Sequence, residues 1–190
     1  MRFEELRRNI KQNTFTIADI VKSFPDSNNS AIRTQLFRFS KRNLITPIKR
    51  GFYCFDPQLV DEFGLANALY RPSYISLETA LNYYGMTPDI SQEVTSVTPT
   101  TTKNFNNQFG RFGFYRIKSL LFWGYTKIKL AKSDGFFKIA QREKALLDLI
   151  YVRKIAKLAE LRLDTKNLNL KIYRKYLKKF PAWVKKVAIF

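Results

Sequence analysis

Residues 14–53 set the tightest constraint on the fold, because helix starts, helix stops and β-prone runs succeed one another there in a fixed order. "TFTIADIVKSF" offers Thr16 as an N-cap and then an apolar stripe, Ile17, Ile20, Val21 and Phe24, at helical spacing. Pro25 stops that helix, and "PDSNNS" is a tight turn built from side chains that bond their own backbone. "SAIRTQLFRFSKRN" predicts the next helix. "LITPIK" and "FYCF" are β-prone runs with Arg50-Gly51 at the corner between them, which predicts a two-stranded hairpin. Upstream, "FEELRRNIK" sets Phe3, Leu6 and Ile10 at helical spacing and predicts a short amphipathic helix.

The helix over 30–43 has two distinct faces. At about 100° per residue from Ile32, Leu36 falls near +40° and Phe39 near −20°, a narrow seam that faces a core. Ser30, Arg33, Thr34, Phe37, Arg38 and Lys41 fall on the far side, between roughly 100° and 240°. That face carries donors and positive charge. Lys49 and Arg50 mark the hairpin tip. A helix, a turn, a second helix with a basic outward face and a β-ribbon together predict a winged helix-turn-helix over 1–57. In such a unit Arg33 and Thr34, near the helix start, reach base edges, whereas Lys49 and Arg50 reach phosphates that fix position and carry no sequence. Phe37 is the awkward residue of the set; it can pack under the hairpin, touch a thymine methyl or bind another protein. The bland reading is a solvated charged surface, and such units also dock proteins.

Charge points the same way. The 190 residues hold 34 Lys and Arg against 15 Asp and Glu, a formal charge of +19. A field of that sign gathers polyanions, with nucleic acid first and an acidic protein or anionic lipid as rivals. The excess sits at the ends: 11 basic against 5 acidic over 1–56, 11 against 8 over 57–150, and 12 against 2 over 151–190. Histidine is absent and Cys54 stands alone, so the commonest general base and any Cys/His zinc site are missing. The chain is expected to be a non-enzyme with no cofactor or metal. Cys54 reads as apolar filler. With no apolar leader and no run of about 20 apolar residues, a cytoplasmic protein with no membrane partner is the expectation.

Beyond Asp56-Pro57, a linker helix is expected within 58–72, ended by Arg71-Pro72. Residues 73–190 then read as a mixed α+β domain with a helical, basic C-terminus, so the whole chain is expected to be α+β. Ser76 caps a helix, "LETALNYYGM", that Gly85 ends. "EVTSVTPT", "GFYRIK" and "LLFWGYTKIKLAK" have strand character. "IAQREKALLDLIYVRKIA" shows helical spacing through Ile139, Ala145, Leu146, Leu149 and Ile150. Near the end, Tyr173, Tyr176, Leu177 and Phe180 form a stripe flanked by Lys171, Arg174, Lys175, Lys178 and Lys179. That flank is either a solvated helix face, a second nucleic-acid surface or a site for an acidic partner.

"YISLETALNYYGM", "EVTSVTPTTTKNF", "FGRFGFYRIK", "FWGY" and "REKALLDLIY", in this order, resemble the AbiEi antitoxin family of abortive-infection type IV toxin–antitoxin systems. The resemblance covers about residues 14–150. It departs where the family carries Thr-Pro and this chain has Gln141-Arg142. The resemblance implies an N-terminal winged helix that binds inverted repeats in double-stranded operator DNA and represses its own operon. It also implies a second part that neutralises a co-expressed nucleotidyltransferase toxin, with or without a stable complex. Within the matching motif Glu143, Lys144 and Asp148 are the polar positions. Lys144 and Asp148, one helical turn apart, are expected to be an ion pair on a solvated face, and Ser76 and Glu78 helix-start residues.

Two other readings compete. One is a plain transcriptional repressor whose second domain senses a ligand or dimerises. The other is a metal-dependent nuclease starting from Pro88-Asp89, which lacks the downstream acid-x-Lys that would complete its ligand set. No phosphate loop or dinucleotide fingerprint is present.

Overall fold

The computed structural model describes residues 1–130, 135–158 and 161–188, and these form a mixed α+β protein with eight α-helices and two sheets. The chain divides into two compact units. The first is Met1–Asp61 with Asn107–Phe109 and Leu130, and the second comprises Glu62–Asn106, Gly110–Lys129 and the described residues from Gly135 onward.

In the first unit the order is α1 (Phe3–Asn9), β1 (Thr14–Thr16), α2 (Ile17–Ser23), α3 (Asn29–Lys41), β2 (Thr46–Lys49) and β3 (Phe52–Cys54). Thr16 caps α2 reciprocally: its hydroxyl accepts from the Asp19 N–H, and the Asp19 carboxylate accepts from the Thr16 N–H at 2.7 Å. Such a box typically contributes about 1 kcal/mol. Asn28 caps α3 by accepting from the Ser30 N–H at 2.8 Å. The three strands are antiparallel in the order β1-β3-β2. β1 is not legible in the sequence, because three residues are too few to display an alternating pattern; Phe15 is its one buried side chain. The β2–β3 register shifts between Pro47 and Lys49, and Pro47 lacks the N–H a ladder needs. Gly51 turns the hairpin at φ +78°, a conformation that costs other residues about 1–2 kcal/mol. Leu6, Ile10, Phe15, Ile20, Ile32, Leu36, Phe39 and Ile45 form the core. Each fully buried side chain of this kind contributes roughly 1.5–3 kcal/mol.

The second unit begins with α4 (Glu62–Leu69), after a 3₁₀ turn at Pro57–Leu59. Its six-stranded sheet uses β4 (Tyr74–Ile75), β5 (Val94–Thr98), β6 (Lys103–Asn107), β7 (Gly110–Arg116), β8 (Tyr125–Lys129) and β9 (Phe136–Ala140). The order is β6-β7-β5-β4-β9-β8. β5 runs parallel to β7 and antiparallel to β4, β4 is parallel to β9, and β8 pairs antiparallel with β9. All five residues of β5 are buried, polar ones included. The Thr95 hydroxyl donates to the Ser76 carbonyl at 2.7 Å and that of Thr98 to the Pro72 carbonyl at 2.8 Å. Those bonds make burial of the hydroxyls tolerable.

Helices α5 (Leu77–Tyr83) and α6 (Arg142–Arg153) pack together, and α7 (Leu170–Leu177) and α8 (Ala182–Val187) come next and pack on α6. The helix expected from Ile139 starts at Arg142. Ile139 belongs to β9, where Phe137 and Ile139 alternate into the core. A buried strand residue placed just before an amphipathic helix mimics one more helical position. The strand-like run "LLFWGYTKIKLAK" is a 3₁₀ turn at Ser119–Leu121 and then β8, and its last two residues lie outside the described part.

Candidate nucleic-acid interface

Three elements of the first unit carry the residues in question. α3 turns Ile32, Leu36 and Phe39 into the core, as its spacing requires, and leaves Ser30, Arg33, Thr34, Phe37, Arg38 and Lys41 exposed. α3 contains no Asp or Glu, so nothing on the helix offsets its three cations. The hydroxyls are less free than the helical wheel suggests. Ser30 donates to the Asn28 side chain at 3.0 Å, and Thr34 donates back to the Ser30 carbonyl at 3.0 Å, which leaves each an acceptor lone pair facing outward.

Phe37 is 63% exposed, and the Lys41 ammonium lies 5.6 Å from its ring centre. The cation covers one face of the ring, a contact worth roughly 0.5–1 kcal/mol at an exposed site. Gln35, Phe37, Arg38, Lys41 and Arg42 border a shallow cleft of about 350 Å³ at the C-terminal end of α3. Arg42 is a member of this surface that the helical spacing does not single out. It is the C-cap of α3, and the run Lys41-Arg42 at a helix end is its only signal in the sequence. At the hairpin, Arg50 is exposed in the turn, whereas Lys49 ends β2 and is half-buried, so the tip carries one exposed cation instead of two. Cys54 is fully buried in β3, and burial pushes its thiol up to about 11.

In the second unit Lys171, Arg174, Lys175, Lys178 and Lys179 are all exposed along and just after α7. The opposite stripe packs inward: Tyr173 and Phe180 are buried, Tyr176 and Leu177 half-buried, and the Tyr173 hydroxyl donates to the Ala188 carbonyl at 2.9 Å. Lys179 stands 4.5 Å from the Trp123 ring centre. Lys185 and Lys186 of α8 are exposed as well.

The Lys144–Asp148 pair exists, but the solvated face expected for it does not. Both side chains are 0% exposed, because α6 is buried along Glu143–Ile150. Lys144 donates to Asp148 and to the Tyr74 hydroxyl at 2.9 Å. Asp148 also accepts from Tyr74 at 3.0 Å and from Ser76 at 2.9 Å. Burial dominates both titrations, lowering the pKa of Lys144 and raising that of Asp148. Ser76 therefore stands at the N-cap position of α5 without capping it; its hydroxyl serves Asp148. Glu78 pairs with Arg153 at 2.7 Å. Glu143 accepts from the Asn169 N–H at 2.9 Å. Gln141, at the departure from the family pattern, precedes α6 without a side-chain cap and accepts from the Tyr176 hydroxyl. Asp89 is exposed, and among the described residues no three His, Cys, Asp or Glu side chains gather where a metal could be held.

No protein-family model and no curated protein matches the chain. Among the described residues no helix is long and apolar enough to cross a membrane.

Proposed function

We propose that the first unit is a winged helix-turn-helix that binds double-stranded operator DNA, with α3 in the major groove and the β2–β3 hairpin against the backbone. The observation that carries this reading is the division of α3 into a packed seam and an acid-free, exposed cationic face. The element order and the antiparallel β1-β3-β2 sheet support it. Arg33, near the start of α3, is the base-reading residue, able to fork onto a guanine edge. Arg38, Lys41, Arg42 and Arg50 hold phosphates, and Phe37 meets a thymine methyl. The sequence resemblance extends this to an antitoxin that represses its own operon and neutralises a nucleotidyltransferase toxin.

A gel-shift titration of the fragment upstream of the gene tests the first part. Binding that is lost at moderate salt without any preference for that fragment over random duplex refutes it. Growth rescue tests the second: co-expression of the chain with an adjacent nucleotidyltransferase gene should restore growth. Rescue failure combined with intact operator binding would leave the plain repressor as the reading. That reading is favoured by one observation, an open cleft in the second unit lined by Arg71, Lys127 and Lys138.

A further inference from the structure

A cleft of about 460 Å³ lies wholly in the second unit, bordered by Asn67 of α4, by Arg71 and Ser73 just after it, and by Lys127, Phe136 and Lys138 of the β8–β9 hairpin. Its volume falls within the usual range for small-ligand sites. The register of the hairpin makes the lining unusual. Lys127 and Lys138 are direct partners across the antiparallel pair, so they point to the same face of the sheet at close range. Like charges directly opposite oppose strand pairing. Lys129 and Phe136, the next pair on that face, extend it. Arg71 approaches from the α4 side, where it donates weakly to the Asn67 carbonyl at 3.4 Å. Among the described residues none of Arg71, Lys127 and Lys138 is ion-paired to an acid.

Two further features indicate a formed site rather than scattered surface lysines. The Asn67 side chain clamps the floor by accepting from the Lys138 N–H at 2.6 Å and donating to the Lys138 carbonyl at 3.4 Å. Phe136 is 66% exposed at the cleft edge, which places an uncovered aromatic face beside three cations. Edge-strand lysines that merely block sheet-to-sheet pairing would explain Lys127 and Lys129 of the edge strand β8. They would not explain Lys138 on the inner strand, Arg71 from outside the sheet, or Phe136.

We propose that this cleft binds a nucleotide unit, with Arg71, Lys127 and Lys138 on the phosphates and Phe136 stacked on the base. Phosphate oxygens between Lys127 and Lys138 turn a repulsive pair into a shared one. An aromatic ring beside a cationic track is the arrangement by which unpaired bases are held. The nucleotide can be free or the exposed unit of a single strand, and both sources present the same chemistry. This site is separate from the α3 face and is measured without operator DNA.

The experiment is a fluorescence-anisotropy titration of the full-length protein with mant-labelled ATP and, separately, with short fluorescein-labelled oligothymidine. Inorganic phosphate serves as a competitor. Expected are saturable binding, about tenfold weaker for Lys127→Gln or Lys138→Gln, and more than additively weaker for the pair. Phe136→Ala should lose roughly tenfold with unchanged salt dependence. Each lysine variant should make the log–log salt slope shallower by about 0.7. Lys118→Gln, an exposed cation outside the cleft, supplies the charge control. Saturation by ATP assigns a free nucleotide; saturation by oligothymidine alone assigns a strand. The proposal is overturned if neither probe saturates, if Lys118→Gln weakens binding as much as the cleft variants, or if inorganic phosphate competes as well as ATP.

Discussion

Splitting the Lys144–Asp148 pair should produce opposite pH dependences from its two halves. In Lys144→Met, Asp148 remains fully buried with only Tyr74 and Ser76 as donors. A buried carboxyl left without its cation takes up a proton, which caps the loss at about 1.4 kcal/mol per pH unit above its ordinary value near 4. At pH 7 the cost is therefore about 4 kcal/mol, in line with the roughly 3–5 kcal/mol expected for breaking a buried pair. The folded variant then holds a proton that the unfolded chain has released, so stability rises as pH falls from 7 toward 4. Asp148→Asn orphans Lys144 instead. The ammonium keeps the Tyr74 oxygen at 2.9 Å and the Trp123 and Phe180 rings at 5.1 and 5.2 Å. Once neutral in the fold it reverses the sign, and stability rises from pH 7 toward 10. Its cost at pH 7 is capped at about 5 kcal/mol, and the ring contacts reduce it. The double variant should show neither slope and be more stable than either single one, since burial already drives both groups toward neutrality. Both tryptophans, Trp123 and Trp183, belong to the second unit, so urea unfolding monitored by tryptophan fluorescence reads that unit. Losses that do not vary with pH, or two slopes of one sign, would refute the reasoning.

Other outcomes rest on single positions. If α3 reads DNA as proposed, Arg33→Ala should lose about 1–3 kcal/mol of preference for the upstream fragment in gel shifts, whereas Arg50→Ala should weaken all duplexes alike and flatten the salt slope by about 1. The thiol reagent DTNB should leave Cys54 unmodified at pH 8 until the protein unfolds. Because burial, and after it the Asp56 charge, raises this thiol, the fold's advantage is complete below about pH 9 and fades as pH rises through about 11. Gly124→Ala should cost roughly 1–3 kcal/mol by thermal unfolding, since Gly124 sits at φ +75° and a methyl there would meet Lys144 Cγ at 3.0 Å.

The sequence is most readable where local chemistry decides structure. Thr16, Pro25 and Arg50-Gly51 are start, stop and turn residues whose effects span a few positions, and the inner seam of α3 comes from angular spacing alone. Polar residues in the second unit mislead for the complementary reason. A Lys and an Asp four apart look like a solvated pair unless one knows that Tyr74 and Ser76, some seventy residues away, cover them. β5 is hard to recognise as a central strand because three of its five residues are hydroxylated, and the partners of the Thr95 and Thr98 hydroxyls lie elsewhere in the chain. Lys127 and Lys138 are ordinary surface residues in one dimension; only the strand register makes them opposite.

The separation of roles on α3 bears on how such a protein can diversify. Ile32, Leu36 and Phe39 hold the helix in place, while the six outward residues make no contribution to the apolar core. Exchanges at those six positions alter the chemistry of the exposed surface at little expense to the core. Such exchanges call for no compensating change in the interior of the unit.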